Sequence, residues 1–549
     1  MIVETFVPST TAIADSTAIS ALVGILPLLV FFVLLGVFKL ATHWCAVGAL
    51  VVAAISAVVG FGMPAGMVGL SALQGLAFGI APILYIVIAA VWLYNLTVRS
   101  GRAEDVRAVF SAVGKGDQRV QALLVGYSFC ALLEGLAGFG APVAIVAAML
   151  VTLGVKPLKA AAVTMVGNSI NVGFGAMAIP VTTAGRIGGV PATEVAATAS
   201  SITPWIATLL PFLLVIILDG TRGLRQLWHI ALVQGLVMSA GHIIAANFIS
   251  YELTAVFAAL LSFAAVALLL NYSNPTTPEE YRSETSEKLP SGSRITLALM
   301  PYWLVVIIFA VAKLWRLGVD IPAALASTDI TIEWPGLYGN LLTASGEVSE
   351  SAIYNLQTLS SPGTMIVLTA LIVAFVYGRN SSGGVFEFSF VRGVKVLGET
   401  IVSLRWSLLT IALVMSLAYV MNFSGQTMAI GAALAATGAA FAFLSPILGW
   451  IGTAVTGSAT SANALFADLQ ATAAAGANLD SSVLLSANTI GGGIGKIVSP
   501  QNLAIAATAV GGKTSESEIL KKVAPWSLGI LLLLCVLVFL ATQGILPLM

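Results

Sequence analysis

Two charged side chains stand in otherwise apolar stretches of this sequence. Glu134 is the only acid between Val120 and Val155, and Lys496 lies in the Gly-rich stretch NTIGGGIGKIVSP. Because ionised groups are costly in apolar surroundings, such residues are candidates for function. A buried carboxyl can take up and release a proton, and a lysine can attract an anion. The structural alternatives are that Glu134 pairs with a helix end or with Lys496, and that Lys496 reaches the nearby aqueous surface.

Small and polar residues accompany these two charges. They offer hydroxyls, amides and, where a helix breaks, main-chain N–H groups, which together can hold a carboxylate and a hydroxyl group. Polar side chains also cap broken helices and link neighbouring ones, so each also has a structural explanation. The candidate substrate-binding residues are Gly138, Phe139, Gly140, Ala141, Asn168, Ser458, Thr460, Ser461, Asn463, Asn488, Lys496, Ser499 and Gln501. The candidate proton-carrying acids are Glu134 and, further from a break, Asp468.

The composition predicts that these residues lie in a membrane. Of the 549 residues, 58% are hydrophobic and 9% are charged, whereas soluble domains carry roughly a quarter charged residues. Charge-free runs such as 44–63 and 526–547 are long enough to cross a bilayer, and they favour helices over a barrel. The 24 basic and 24 acidic residues balance, so the charge gives no indication of a nucleic-acid partner.

The apolar runs predict an all-α polytopic membrane protein with about twelve transmembrane helices. Two further apolar segments, 120–154 and 440–474, are interrupted by Gly, Ser and Thr, and we expect each to be a re-entrant or discontinuous helical hairpin that returns to the side where it starts. The predicted crossings are 19–38, 44–63, 76–98, 160–180, 203–219, 227–246, 252–271, 297–316, 361–378, 404–422, 481–500 and 526–547.

The basic residues predict the orientation. With the N-terminus outside, 20 of the 24 Lys and Arg residues fall on the inner face, and the outer loop 317–360 carries five acids and no basic residue. This is the positive-inside pattern, and it predicts both termini on the periplasmic side of a bacterial inner membrane.

The chain divides into two predicted halves. The first, 1–271, contains the hairpin 120–154 and the broken helix 160–180. A polar cytoplasmic linker, 272–296, joins it to the second half, 297–549, with the hairpin 440–474 and the broken helix 481–500.

The two broken regions match each other at a shift of 320 residues. NSINVGFGAMAIP at 168–180 aligns with NTIGGGIGKIVSP at 488–500, with the same spacing from Asn to Pro. The first hairpin starts inside and the second outside, which is the pattern of an inverted-topology repeat. Such repeats build the midplane site of alternating-access carriers, where half-helix N-termini favour an anion. Chance similarity between Gly- and Ala-rich helices is the alternative.

Four strings of this sequence resemble the lactate permease family. They are EGLAGFGAPVAI at 134–145, GFGAMAIP at 173–180, GSATSANALF at 457–466 and GKIVSPQNLAIA at 495–506, in the family's order. Length and hydropathy match as well, so the resemblance covers nearly the whole chain. It implies proton-coupled uptake of short 2-hydroxymonocarboxylates, chiefly lactate and also glycolate, across a bacterial inner membrane.

One position departs from that resemblance. Family members commonly carry an acid where this chain has Ala459, so the proton route uses another group or the coupling differs. Sodium coupling, a different anion and a passive anion channel remain alternatives. The sequence has no Ser-His-Asp set, metal-ligand spacing or Walker-type phosphate loop, so we predict no enzyme activity, cofactor or metal site. The oligomeric state stays open.

Overall fold

The computed structural model is helical apart from one pair of short strands. It describes residues 5–138, 140–273, 275–282, 289–343, 346–511 and 514–548, and of Ser111 only the backbone. Within these residues, ten helices are long and apolar enough to cross a membrane, and a bent pair makes up to eleven. The ten are Thr17–Gly36, Thr42–Gly60, Ala65–Arg99, Gln118–Leu136, Pro157–Ile187, Ala192–Ile249, Tyr251–Tyr272, Pro362–Arg379, Phe390–Phe423 and Glu516–Thr542, and the bent pair is Gly292–Ala298 with Met300–Leu314.

The predicted number of twelve crossings is not confirmed, and one reason lies at Gly220. The two crossings predicted between 203 and 246 form a single run, Ala192–Ile249, with a non-helical residue at Gly220 (φ 64°, ψ −149°). The chain folds back there, as the hydrogen bond from Ser239 Oγ to the carbonyl oxygen of Pro204 at 3.1 Å shows. One long run therefore contains two antiparallel helices.

Two helical hairpins have their tips at glycines. The first hairpin consists of Gln118–Leu136 and Ala141–Thr152, and the second of Ala440–Thr456 and Ala459–Gly476. Gly140 (φ 86°) and Gly457 (φ 74°) turn the chain in the left-handed region, which side chains with a Cβ rarely adopt.

The arms of each hairpin lie side by side. In the first, Gln118 Nε2 donates to the carbonyl oxygen of Leu153 at 2.6 Å, which joins the two ends. In the second hairpin, Gln470 Nε2 donates to the carbonyl oxygen of Ser445 at 3.1 Å.

The first broken helix follows the first hairpin. Pro157–Asn168 is α-helical, Ser169–Phe174 is a 3₁₀ turn, and the chain continues as Gly175–Ile187. Ala176, Met177 and Ala178 have φ values of 43°, 59° and 57°. Irregular backbone at this depth is tolerated where it is buried in protein or lines a cavity.

The second broken helix follows the second hairpin. Ser481–Gly495 ends in a 3₁₀ turn, Lys496–Val498, and Pro500–Ala509 begins after the N-cap residue Ser499. The crossing predicted for 481–500 is therefore divided into pieces that are each too short to span a bilayer as helices.

The two broken helices cross at their breaks. A Cβ on Gly173 would lie 3.1 Å from Thr489 Cγ2, and a Cβ on Gly493 would clash with the carbonyl oxygen of Ser169. Small residues at both positions let the backbones approach this closely.

Short elements complete the fold at the two faces. The segment predicted to lie outside, 317–360, contains the helix Ile321–Ala326 and two antiparallel strands, Ile330–Glu333 and Ile353–Leu356. The remaining helices are Ala103–Ala112 and Gln426–Ala435.

On the face that the charge pattern predicts to be the inner one, the buried Arg119 binds Asp117 and Asp219, each at 2.8 Å, and thereby fixes the base of the first hairpin to the run Ala192–Ile249. Thr277, in the predicted linker, donates to Asp117 Oδ2 at 2.9 Å.

Candidate functional site

Glu134 and Lys496 meet where the first hairpin contacts the second broken helix. Lys496 Nζ lies 2.8 Å from Glu134 Oε1, and the two side chains are only 7% and 2% exposed. Asn168 Nδ2 donates to Glu134 Oε2 at 2.8 Å, so both carboxylate oxygens have partners. Cys130 Sγ donates to Asn168 Oδ1 at 3.3 Å and orients that amide. Because a buried charge is stable only when it is paired, the acid and the lysine depend on each other.

Local structure brings these two residues together across 362 positions of sequence. Glu134 lies in the last turn of Gln118–Leu136, just before the first hairpin breaks. Lys496 begins the 3₁₀ turn of the second broken helix. The pair therefore joins the first hairpin to the second broken helix.

A cavity of about 980 Å³ has this ion pair in its wall. Gly175, Ala176 and Pro180 of the first broken helix line it, together with the tip of the second hairpin. Trp406, Ser407 and Thr410 of Phe390–Phe423 also line it. Lys39, His43 and Glu516 lie in its wall on the face that the charge distribution assigns to the cytoplasm.

The tip of the second hairpin offers hydrogen-bond donors to the cavity. Ser458 is the N-cap of Ala459–Gly476, and its Oγ accepts from the main-chain N–H of Ser461 at 3.2 Å. Thr460 and Ser461 lie in the first turn of that helix and line the cavity. Since a helix N-terminus carries partial positive charge, this end favours an anion. Gln501 also lines the cavity, in contact with Gly457.

Other predicted binding residues lie behind the cavity wall. Asn463 Nδ2 donates to the carbonyl oxygen of Pro180 at 2.9 Å, and Asn488 Nδ2 donates to Asn463 Oδ1 at 2.7 Å. Gln470 Nε2 donates to Asn488 Oδ1 at 3.1 Å. These buried amides fasten the second hairpin to both broken helices. They support the site rather than face the cavity.

The remaining predicted residues have separate positions. Ser499 caps Pro500–Ala509, and its Oγ accepts from Asn502 N at 3.4 Å. Gly138 lines the cavity beside Glu134, whereas Gly140 and Ala141 form the N-terminus of the second arm of the first hairpin and are not part of the cavity wall. Phe139 lies outside the described residues.

Asp468 lies apart from the ion pair. It is in the middle of Ala459–Gly476, two helical turns beyond Thr460, where it accepts a hydrogen bond from Thr427 Oγ1. It does not line the cavity. The two candidate acids therefore occupy different environments, and only Glu134 has a cationic partner among the described residues.

Several cavity residues carried no signal in the sequence. Lys39 lies in the turn before Thr42–Gly60, His43 lies in that helix and Trp406 lies in Phe390–Phe423. The His43 ring stacks on that of Trp406, with 4.8 Å between ring centres and an interplanar angle of 16°. His242 is fully buried, and its Nε2 lies 3.0 Å from Asn171 Oδ1 at the first break.

Gly175 is expected to tolerate no side chain, because Glu134 lies directly over it. A Cβ at this position would approach Glu134 Oε1 to 2.7 Å and would push the carboxylate away from Lys496. We expect Gly175→Ala to lower stability by about 1–3 kcal/mol, the usual cost of overpacking, and to impair transport. Gly66→Ala is the control, since a Cβ there meets nothing within 4 Å. Equal melting temperatures and transport rates for the two variants would contradict the assignment.

Comparison with known proteins identifies relatives of this chain. A sequence profile of the L-lactate permease family matches residues 20–544. The glycolate permease GlcA of Escherichia coli K12 is 36% identical over 525 residues, covering 92% of each chain. The L-lactate permease of Bacillus subtilis 168 is 34% identical over 557 residues, covering 96% of this chain and 97% of that one.

Similarity to solved structures is weaker. The YdaH transporter of Alcanivorax borkumensis aligns with 86% of this chain and 88% of its own, at 14% identity and a TM-score of 0.46. The family match over residues 20–544, the relatives aligned over nearly their whole length and the apolar helices together identify this chain as a multi-pass membrane protein that belongs to the L-lactate permease family.

Proposed function

We propose that this protein imports lactate and glycolate by proton symport across a bacterial inner membrane, through alternating access. The observation that carries the proposal is the buried pair of Glu134 and Lys496 in the wall of a cavity between two broken repeats. Relatives named lactate and glycolate permeases, each aligned with more than nine-tenths of this chain, support the choice of substrate.

The substrate carboxylate binds Lys496 in this proposal. An ammonium group is the natural partner of a single carboxylate, and the N-terminus of Ala459–Gly476 adds partial positive charge nearby. Thr460, Ser461 and Gln501 provide hydroxyl and amide groups in the cavity wall for the 2-hydroxyl. Among the described residues Lys496 is the only basic side chain in the wall away from the inner mouth, which favours monocarboxylates over dicarboxylates.

Glu134 carries the proton. While Lys496 neutralises it, the carboxylate is stable in its ionised form. When the carboxylate of a substrate pairs with Lys496, the buried Glu134 loses its counter-ion. Protonation of Glu134 then becomes favourable. Proton and anion then move together, because binding of the anion promotes binding of the proton, and binding of the proton promotes binding of the anion. Ala459 contributes no acid at the second hairpin tip, so Glu134 is the coupling group that we propose.

Two features support alternating access through an inverted repeat. Gly173 meets Thr489, and Gly493 meets Ser169. At the shift of 320 residues, each of these contacts maps onto the other, as expected for two units related by a two-fold axis. The cavity reaches only the face of Lys39 and Glu516, which favours a carrier in an inward-open state over a continuous channel.

The function is tested with purified protein in proteoliposomes. With an inwardly directed proton gradient, labelled lactate and glycolate are expected to accumulate above the external concentration, and a protonophore is expected to abolish this. Repeating the assay with and without sodium separates proton from sodium coupling. Equilibration without accumulation would indicate a channel, and the absence of lactate flux would reject the proposed substrate.

A further inference from the structure

One interface of the molecule forms the cavity at its inner end and is bridged by side-chain contacts of Arg186 at its outer end. Phe390–Phe423 contributes Trp406 and Thr410 to the cavity wall, and Tyr419 lies further outward on the same helix. On the other side, Gly175–Ile187 contributes Pro180 to the wall and carries Arg186 in its last turn. Arg186 and Tyr419 therefore lie along the route between the cavity and the outer face.

Arg186 bridges this closed outer end. Its Nη2 donates to the carbonyl oxygen of Ile353 at 3.0 Å, and its guanidinium lies 5.4 Å from the centre of the Phe78 ring. The Tyr419 side chain also interacts with it. Arg186 thus connects the first broken helix to Ala65–Arg99, to Phe390–Phe423 and to the outer strand Ile353–Leu356.

The guanidinium has no counter-ion in this state. Arg186 is exposed, and no carboxylate lies within ion-pair distance of it in the part of the chain that the structure describes. The other exposed arginine of the outer side, Arg316, does have an acid partner, Asp320, at 3.8 Å. Its polar partners are neutral instead: the main-chain carbonyl of Ile353, which occupies one of the five guanidinium N–H donors, and the Tyr419 side chain.

Neighbouring contacts hold that carbonyl in place. Tyr354 donates its hydroxyl to the carbonyl oxygen of Ala81 at 2.6 Å, and Gln74 Nε2 donates to that of Ser351 at 2.9 Å. The strand therefore stays with Ala65–Arg99 when the first broken helix moves away from it. A guanidinium released in this way binds a planar carboxylate with two parallel N–H donors, which is a stronger interaction than the single carbonyl contact.

We propose that Arg186 is an outer binding site for the carboxylate of the transported anion, occupied in this inward-open state by the carbonyl of Ile353. On opening of the outer end, the substrate carboxylate replaces this carbonyl oxygen and then passes inward to Lys496. The inference rests on the proposed function, and it adds an outer binding site that the anion occupies before it reaches Lys496.

A simple latch is the competing explanation, and it predicts an opposite result. If Arg186 only holds the outer end closed, its removal favours the outward-open state and lowers the KM for external substrate. If Arg186 binds the carboxylate, its removal raises that KM. The KM for substrate on the inner face does not change under the binding proposal, because Arg186 is remote from the inward cavity.

The test measures lactate transport by the full-length protein in right-side-out and inside-out membrane vesicles. Arg186→Gln is expected to raise the KM at the outer face about tenfold, the size of effect that a charge-assisted hydrogen bond produces. The KM at the inner face stays within about twofold of wild type. Arg186→Lys, which keeps the charge but not the bidentate geometry, is expected to be intermediate.

Arg316→Gln is the matched control, because it removes the same charge from the outer side at a residue whose side chain is 72% exposed. An outer KM that stays the same or falls in Arg186→Gln overturns the inference, and so does an equal rise at both faces, which indicates a structural role. If wild-type vesicles transport no lactate at all, the proposed function fails first. If they do and the outer KM of Arg186→Gln is not raised, only this inference fails.

Discussion

Replacing Glu134 by glutamine is expected to abolish proton-driven accumulation of lactate, while exchange of labelled for unlabelled lactate across the membrane persists. The amide can still accept a hydrogen bond from Lys496, but it can neither release nor take up the proton that coupling requires. In vesicles with an imposed pH gradient, the ratio of internal to external lactate should fall to about one. The KM for exchange should not rise, because Lys496 loses its competing carboxylate.

A matched substitution separates this effect from a general loss of charge. Glu399 pairs with Arg99 and Arg392 and is 38% exposed, so Glu399→Gln removes one carboxylate outside the cavity. It should accumulate lactate like the wild type. Full accumulation by Glu134→Gln would remove Glu134 from the coupling role. Loss of both accumulation and exchange would assign it to substrate binding or folding instead.

Replacing Lys496 by methionine is expected to abolish high-affinity substrate binding. Loss of the hydrogen bonds between the ammonium and the carboxylate should cost about 1.5–3 kcal/mol, or roughly 10- to 150-fold in affinity. The substitution also leaves Glu134 without its counter-ion, and breaking a buried ion pair in this way typically lowers stability by about 3–5 kcal/mol. Binding is measured by isothermal titration of the purified protein, and stability by its melting temperature.

The double variant distinguishes the two consequences of this change. Glu134→Gln combined with Lys496→Met removes both charges, so its melting temperature should recover toward that of the wild type, because no unpaired buried charge remains. Substrate affinity should stay low, because the anion still lacks its cation. Lys521→Met, at an exposed lysine outside the cavity, is the control and should bind normally. Wild-type affinity in Lys496→Met would exclude Lys496 as the carboxylate partner.

The sequence was informative about Glu134 and Lys496 because each is a rare charge in an apolar stretch. A charge in such a position is costly, so its presence makes the residue a candidate for function. The glycines in the apolar segments indicated where the hairpins turn. Gly140 and Gly457 adopt backbone angles that other residues avoid. The all-helical polytopic architecture followed from the length of the apolar runs.

The sequence was less informative about which polar residues face the cavity. The sequence around Asn463 and Asn488 does not distinguish side chains that bind an anion from side chains that bind each other. In the structure these two are hydrogen-bonded to each other. The two crossings predicted at 203–219 and 227–246 do correspond to the two antiparallel helices on either side of Gly220.

Local sequence thus determined where the helices break and which charged residues lie in apolar segments. Backbone preference and the cost of burying a charge both act residue by residue. Tertiary structure alone decided that Glu134 and Lys496 form one pair, that His43 and Trp406 complete the cavity, and that Arg186 contacts the carbonyl oxygen of Ile353. These relations join elements that are tens to hundreds of residues apart. They are set by helix packing, which leaves no periodic signal in a single sequence.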